Sequence, residues 1–256
     1  LNNTNFKSLY VSSNPGDGGG CVGAAYSLWK NLTNKKPFNT LGGYLGNSYN
    51  NKEIKSVLDF NKGKIESKNC SYYFLENEQL LCDSIAKSLT ENKVIGWFQG
   101  KMEWGPRALG NRSILADPRS PKIKDIINAK IKRRESFRPF APSIIYEEAE
   151  NWFENFSDEE PFMSRVYNFK KNKSELVPGV VHVDGSGRLQ TVKSIDNPRY
   201  YKLIKSFQKI TNIPILLNTS FNENEPIVFT LQHALDCFLR TEIDILVLGN
   251  WVIVRN

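Results

Sequence analysis

Residues 12–25 read SSNPGDGGGCVGAA. Gly18, Gly20 and Gly23 fit the spacing G-x-G-x-x-G, just ahead of a run of small residues with helical character. Read as a dinucleotide fingerprint, this stretch would open a Rossmann-type fold. That fold needs an acidic residue about 20 positions further on to hold a ribose hydroxyl. After Asp17 the next Asp or Glu is Glu53, far beyond that distance, so the fingerprint match is accidental. What remains is Asp17, a carboxylate at a strand-to-helix turn with glycines that leave it room. It reads either as a metal ligand or magnesium-facing acid, or as an ordinary helix N-cap.

The rest of the chain bounds the answer. Its 256 residues suffice for one large domain or two small ones, and 40% hydrophobic with 24% charged residues is ordinary for a soluble globular protein. No apolar run approaches the length of a membrane span, and no secretory signal is visible. Cys21, Cys70, Cys82 and Cys237 form no C-x-x-C pair, which argues against a zinc ribbon or a disulfide framework and for a reducing, cytoplasmic setting. The net charge of +7 is concentrated: residues 93–140 carry a net +8 and the remainder a net −1. Such a local excess points to a local anionic partner, with a solvated basic face as the plainer alternative.

Patterning predicts a mixture of strands and helices throughout, hence an α/β class. Strands are expected at residues 7–13, 93–98, 143–146, 180–183, 189–192, 213–218, 243–248 and 251–254. Helices are expected at 21–32, 51–59, 78–92, 197–211 and 230–240, and from Ser120-Pro121 onward, with Ile123, Ile127 and Ile131 as an apolar stripe. Residues 38–51 read as a loop. The stretch 60–78 is polar and unpatterned, which places a domain boundary there.

Four runs carry the chemistry. Residues 97–117, WFQGKMEWGPRALGNRSILAD, hold Arg107 and Arg112 around a Gly-bearing turn, and arginine offers a planar fork for phosphate or carboxylate. Residues 130–138, KIKRRESFR, bring Lys132, Arg134 and Arg138. A helix C-terminus alone accounts for Lys132 and Arg134, but Arg138 lies between aromatics and is expected to be buried against an anion. In residues 182–190, HVDGSGRLQ, alternation would put His182, Asp184, Arg188 and Gln190 on one face if two strands run in phase across the Gly turn. Residues 218–222, NTSFN, follow a buried strand and offer Asn218, Ser220 and Asn222 to a crevice, or simply form an Asn/Ser turn. No H-E-x-x-H or Ser-His-Asp motif is present. The ensemble suits a polyanionic small molecule, with positioning and charge neutralisation as the catalytic means.

The runs WFQGKMEWGPRALGNRSILADPR, NAKIKRRESFRPFAPS, HVDGSGRLQTV and NTSFNENEPIV, with the tail CFLRTEIDILVLGNWVI, resemble the O-carbamoyltransferases of the nodulation and antibiotic-tailoring type, from about residue 80 onward. The resemblance implies a YrdC-like twisted mixed sheet with flanking helices over residues 78–256. Residues 1–77 would be the last part and linker of an actin-like (ASKHA) carbamoyl-transfer domain. It further implies that carbamoyl phosphate and ATP, with Mg2+, form carbamoyl adenylate. The acceptor would be a hydroxyl on a sugar, antibiotic or oligosaccharide. By motif, Arg107, Lys132, Arg138 and Arg188 would be catalytic, and Arg112, Arg134, His182, Gln190, Asn218, Ser220 and Asn222 would bind substrate or nucleotide. Asp17 would be one ligand of Fe2+ or another divalent metal. The family's two metal-binding histidines, on an H-x-x-x-H helix, have no counterpart here. That absence and the start at Leu1 lead to the expectation of a portion of a longer protein. A homodimer is the expected assembly, with no membrane partner. After Thr230 the family often has Pro and acidic residues, whereas Leu231, Gln232 and His233 stand here. Two competing readings are a basic RNA-binding module, against which no RNA-reading motif is present, and a catalytically incomplete fragment.

Overall fold

The structure, a computed structural model, describes residues 4–6, 9–35, 43–135 and 137–256. Its centre is an eight-stranded mixed sheet. The strands are β1 (Cys70–Phe74), β2 (Ile95–Phe98), β3 (Arg112–Ala116), β4 (Ala141–Ile145), β7 (Gln190–Val192), β8 (Ile215–Ser220), β9 (Ile245–Leu248) and β10 (Trp251–Arg255). Their order is β1-β10-β9-β2-β3-β8-β4-β7, and only β2–β9 and β4–β7 run parallel. A separate ribbon pairs β5 (Val166–Asn168) with β6 (Ser186–Arg188). The expected α/β class with a twisted mixed sheet and flanking helices is what the chain forms.

The helices are α1 (Gly20–Thr33), α2 (Asn51–Phe60), α3 (Lys62–Ser67), α4 (Glu78–Thr90), α5 (Ile123–Ile127), α6 (Ala149–Trp152), α7 (Lys171–Ser174), α8 (Pro198–Thr211) and α9 (Leu231–Arg240). Local chemistry explains the longer ones. Asn77 caps α4 by accepting from the backbone N–H groups of Gln79 and Leu80, and Leu81, Ile85 and Leu89 bury its inner stripe. Asn50 and Glu53 form a reciprocal capping box on α2. In α8, Asn197 caps the start, Pro198 occupies the first turn, and Asn212 ends it in the left-handed region. Each aliphatic side chain so buried contributes roughly 1.5–3 kcal/mol. No helix of the described residues is long and apolar enough to cross a membrane.

Several expectations are corrected. The stretch 60–78 is not a linker: it forms α3 and β1, and β1 pairs along its length with β10. Ile54, Leu58, Ile65 and Cys70 join the same core as Leu81 and Val252, so packing shows no break at 77/78. Residues 180–183 are not a strand, because Pro178 starts a 3-10 turn that ends at Val180, and His182 then enters a turn closed by Gly185 N–H donating to the His182 carbonyl. Of the strand expected at 7–13, residues 9–13 are irregular, and 7 and 8 lie outside the described residues, as do 38–42 of the expected loop. Ser120 is not the cap of α5; Lys122 takes that position without a side-chain bond. The strand at 112–116 escaped the reading because its buried RSILA run lies inside the arginine motif.

Candidate anion-binding site

Two features bring the cationic motifs to the sheet. The first is the end of α5. The helix continues into a single π-helical turn, Asn128–Lys132, closed by Arg133 N–H donating to the Asn128 carbonyl. Arg133 then adopts φ 44°, ψ 52°, a left-handed conformation that breaks the helix. Ile123, Ile127 and Ile131 stay fully buried through the change of pitch. The three basic residues therefore diverge. Lys132 turns inward and is 2% exposed, Arg133 leaves towards Glu223 at 3.1 Å, and Arg134 lies over Phe140 with Nε donating to Asn128 Oδ1 at 2.7 Å.

The Lys132 ammonium donates to the carbonyls of Ser220 and Asn222, to Asn222 Oδ1 and more weakly to Ser220 Oγ. Among the described residues no carboxylate lies in salt-bridge reach of it. Burial and the nearby Arg134 push its pKa down to about 7. Lys132, Arg134 and Arg138 with Ser220 and Asn222 line one cavity of about 370 Å³. Its two carboxylates are already paired: Glu135 with Arg138 at 3.0 Å, and Glu223 with Arg133 and Arg240. Arg138 itself is not buried as expected. Its side chain is 53% exposed, and Phe137 beside it is also exposed.

The second feature is the loop from Gly105 to Arg112. Arg107 projects from it, exposed, and partial burial together with neighbouring Arg188 holds its guanidinium below the usual range. Neither Arg107 nor Arg188 has a carboxylate in salt-bridge reach among the described residues. Arg188 also acts on His182, whose pKa is lowered mainly by burial, with Arg188 and Lys124 adding to it and Asp184 opposing. Two nearby cations without a counter-charge repel one another, and an anion held by both would relieve that repulsion. Pro142 of β4 packs over Gly187, one residue before Arg188, and the Arg138 loop runs straight into β4.

Three residues expected to contact ligand are engaged by the protein itself. Arg112 is fully buried, stacked 3.6 Å from the Phe98 ring centroid, and donates to the carbonyls of Gln99, Gly100, Asn111 and Asn47. Burial lowers its pKa to about 10. Gln190 donates to the Leu109 carbonyl and accepts from Ser143 and Asn218, and Asn218 donates to the Ala108 carbonyl. Register puts Ser143, Gln190 and Asn218 on one face, against the loop. Arg188 and Gln190 therefore do not share a face with His182 in one continuous hairpin: Arg188 belongs to the ribbon and Gln190 to the main sheet. Asp184 turns back to Ser186. Asp17 is exposed in a 3-10 turn, Gly19 rather than Asp17 is the N-cap of α1, and no group of three His, Cys, Asp or Glu side chains among the described residues could hold a metal. Toward the Fe2+ or other divalent ion expected there, the described residues offer this one carboxylate. Glu103 was missed altogether. Its only sequence signal is an acid inside a basic run.

Residues 86–255 match the family described as Carbamoyltransferase C-terminus. The chain is 41% identical over 259 residues to nodulation protein NolNO of Sinorhizobium fredii, covering 98% of this chain and 36% of that protein. It is 40% identical over 143 residues to the 3'-hydroxymethylcephem-O-carbamoyltransferase of Amycolatopsis lactamdurans, covering 56% of this chain and 26% of that one. Among solved structures it is similar to full-length HypF in a phosphate- and nucleotide-bound form, at TM-score 0.47 and 16% identity over 73% of this chain and 22% of that one. The chain spans less than half the length of the curated relatives with which it aligns.

Proposed function

The chain belongs to the carbamoyltransferase family through its C-terminal region, and from this premise we propose that it activates a carbamoyl group with ATP for transfer to a hydroxyl. Carbamoyl phosphate, ATP and one water would give carbamoyl adenylate, inorganic phosphate and pyrophosphate. The new bond joins a carbamate oxygen to the α-phosphorus, and the bond to pyrophosphate breaks. The observation that carries this reading is the cavity lined by Lys132, Arg134 and Arg138, and the pair Arg107 and Arg188, which has no carboxylate in salt-bridge reach among the described residues, adds to it. Cations held in place before the reaction stabilise charge on the phosphorus and the leaving group without reorganisation. Magnesium would offset triphosphate charge. Because the cavity's carboxylates are already paired, Mg2+ fits as an ion brought by the nucleotide rather than held by the protein. The acceptor would be a hydroxyl on a sugar, antibiotic or oligosaccharide, and the setting cytoplasmic.

The test is exchange of labelled pyrophosphate into ATP by this chain. Exchange should appear only when carbamoyl phosphate is present, and Arg138→Ala should abolish it while leaving thermal unfolding unchanged. No exchange, together with no calorimetric binding of either ligand, overturns the reading.

A further inference from the structure

We propose that Glu103 is a positioning residue for Arg107: its carboxylate staples the loop that presents this arginine to the anionic ligand. The inference rests on the reading above only in taking Arg107 as a ligand contact. Its own basis is geometric. One carboxylate oxygen, Glu103 Oε1, accepts from the backbone N–H groups of Leu109 at 2.7 Å, Asn111 at 2.8 Å and Arg112 at 3.1 Å. Glu103 is 6% exposed, and its second oxygen is buried with no partner among the described residues. Three converging N–H donors form the kind of nest that binds a free anion. Here the chain fills that nest with its own side chain, and the loop is folded around it.

The other side of the same backbone is held just as fully. The Ala108 carbonyl accepts from Asn218, the Leu109 carbonyl from Gln190 and Tyr44, and the Gly110 carbonyl from Trp97 and Gln99. Gly110 N–H donates to Ser113 Oγ. Gly105 and Gly110 have φ of 140° and 101°, and a Cβ at either would lie 2.2 Å from another atom, the Ser13 carbonyl oxygen or Tyr200 Cδ1. Ala108, Leu109, Gly110, Asn111 and Arg112 are all buried. Arg107 is the long charged side chain that leaves this clamped segment for solvent. The buried polar bonds therefore converge on holding the backbone beside one exposed cation. Glu103 holds the N–H groups of the loop, whereas Asn218 and Gln190 hold its carbonyls.

Carbamoyl phosphate binding, measured calorimetrically, tests this in a double-mutant cycle of Glu103→Gln and Arg107→Ala. Glu103→Gln should weaken binding about 3- to 10-fold when Arg107 is intact and less than about 2-fold in the Arg107→Ala background, since residues acting through one another are non-additive. A purely structural role would instead give the same loss in both backgrounds, and that result overturns the inference. So does a folded Glu103→Gln protein with wild-type affinity. Wild-type protein that binds no carbamoyl phosphate overturns the proposed function as well, so the two failures are separable. If Glu103→Gln does not fold, amide hydrogen exchange of the wild type decides. Leu109, Asn111 and Arg112 should exchange slowly although two of them lie in a loop, and fast exchange overturns the staple.

Discussion

Lys132 should take up a proton when an anion enters the 370 Å³ cavity. Its amine sits near pKa 7, pushed there by burial and by Arg134, against an ordinary value of about 10.4. At pH 8 about one tenth of the free protein carries the charge, so an anion that needs the ammonium must draw in about 0.8–0.9 proton per site. At pH 6 the amine is already charged and uptake falls below about 0.1 proton. The same linkage makes affinity fall by about tenfold per pH unit above pH 7.5. Sulfate is the suitable probe, since it does not itself titrate in this range. Calorimetry in two buffers of different ionisation enthalpy reads the proton count directly, and Lys132→Met should remove both the uptake and the pH slope. Sulfate binding with less than about 0.2 proton taken up at pH 8 would refute the reasoning. The stability sign follows from the same shift. Because the native lysine is depressed, the unfolded chain holds more protons between about pH 7 and pH 10, so stability without ligand should rise with pH across that window.

Gln190→Leu should cost about 2–4 kcal/mol in urea unfolding, because in a buried layer it removes one of the two donors to the Leu109 carbonyl and the amide oxygen that accepts from the Ser143 hydroxyl and from Asn218. A loss under about 1 kcal/mol would return Gln190 to the list of ligand contacts. The cysteines should separate cleanly at pH 8. Cys21 is exposed and should be alkylated quickly, whereas burial pushes Cys82 and Cys237 up to about 12 and raises buried Cys70, so mass spectrometry of the native protein should find one fast adduct.

What could be read beforehand depended on how much of the physics is local. The stripes of α4 and α8 and their asparagine caps are written in the spacing of a few residues, and both helices stand where expected. β1 could not be read in that way. CSYYF follows a polar run, and what makes it a strand is pairing with β10, which lies far along the chain. The arginines fail for a related reason. Arg107 and Arg112 are five positions apart in one motif, yet one is exposed beside another cation and the other is spent on four backbone carbonyls. Residue type advertises anion binding in both. Only the fold decides which guanidinium remains available. Lys132 went the other way: a helix C-terminus would have explained it, but the π-turn and the left-handed Arg133 carry it into the cavity wall instead.

The pairing of β1 with β10 also sets an order of events in time. β1 is an edge strand with one neighbour, and Cys70 and Arg255, which face each other in that ladder, are 185 positions apart. During synthesis the strand leaves the ribosome long before its partner exists, and it waits with its backbone groups unpaired. Contacts of such separation form late, because closing the loop between them costs entropy before any bond repays it. The nascent chain therefore carries an open template for the wrong strand until residues 251–255 arrive. A chain that ended just before them would leave β1 and one side of β9 without a partner, and would be prone to aggregate rather than simply to be inactive.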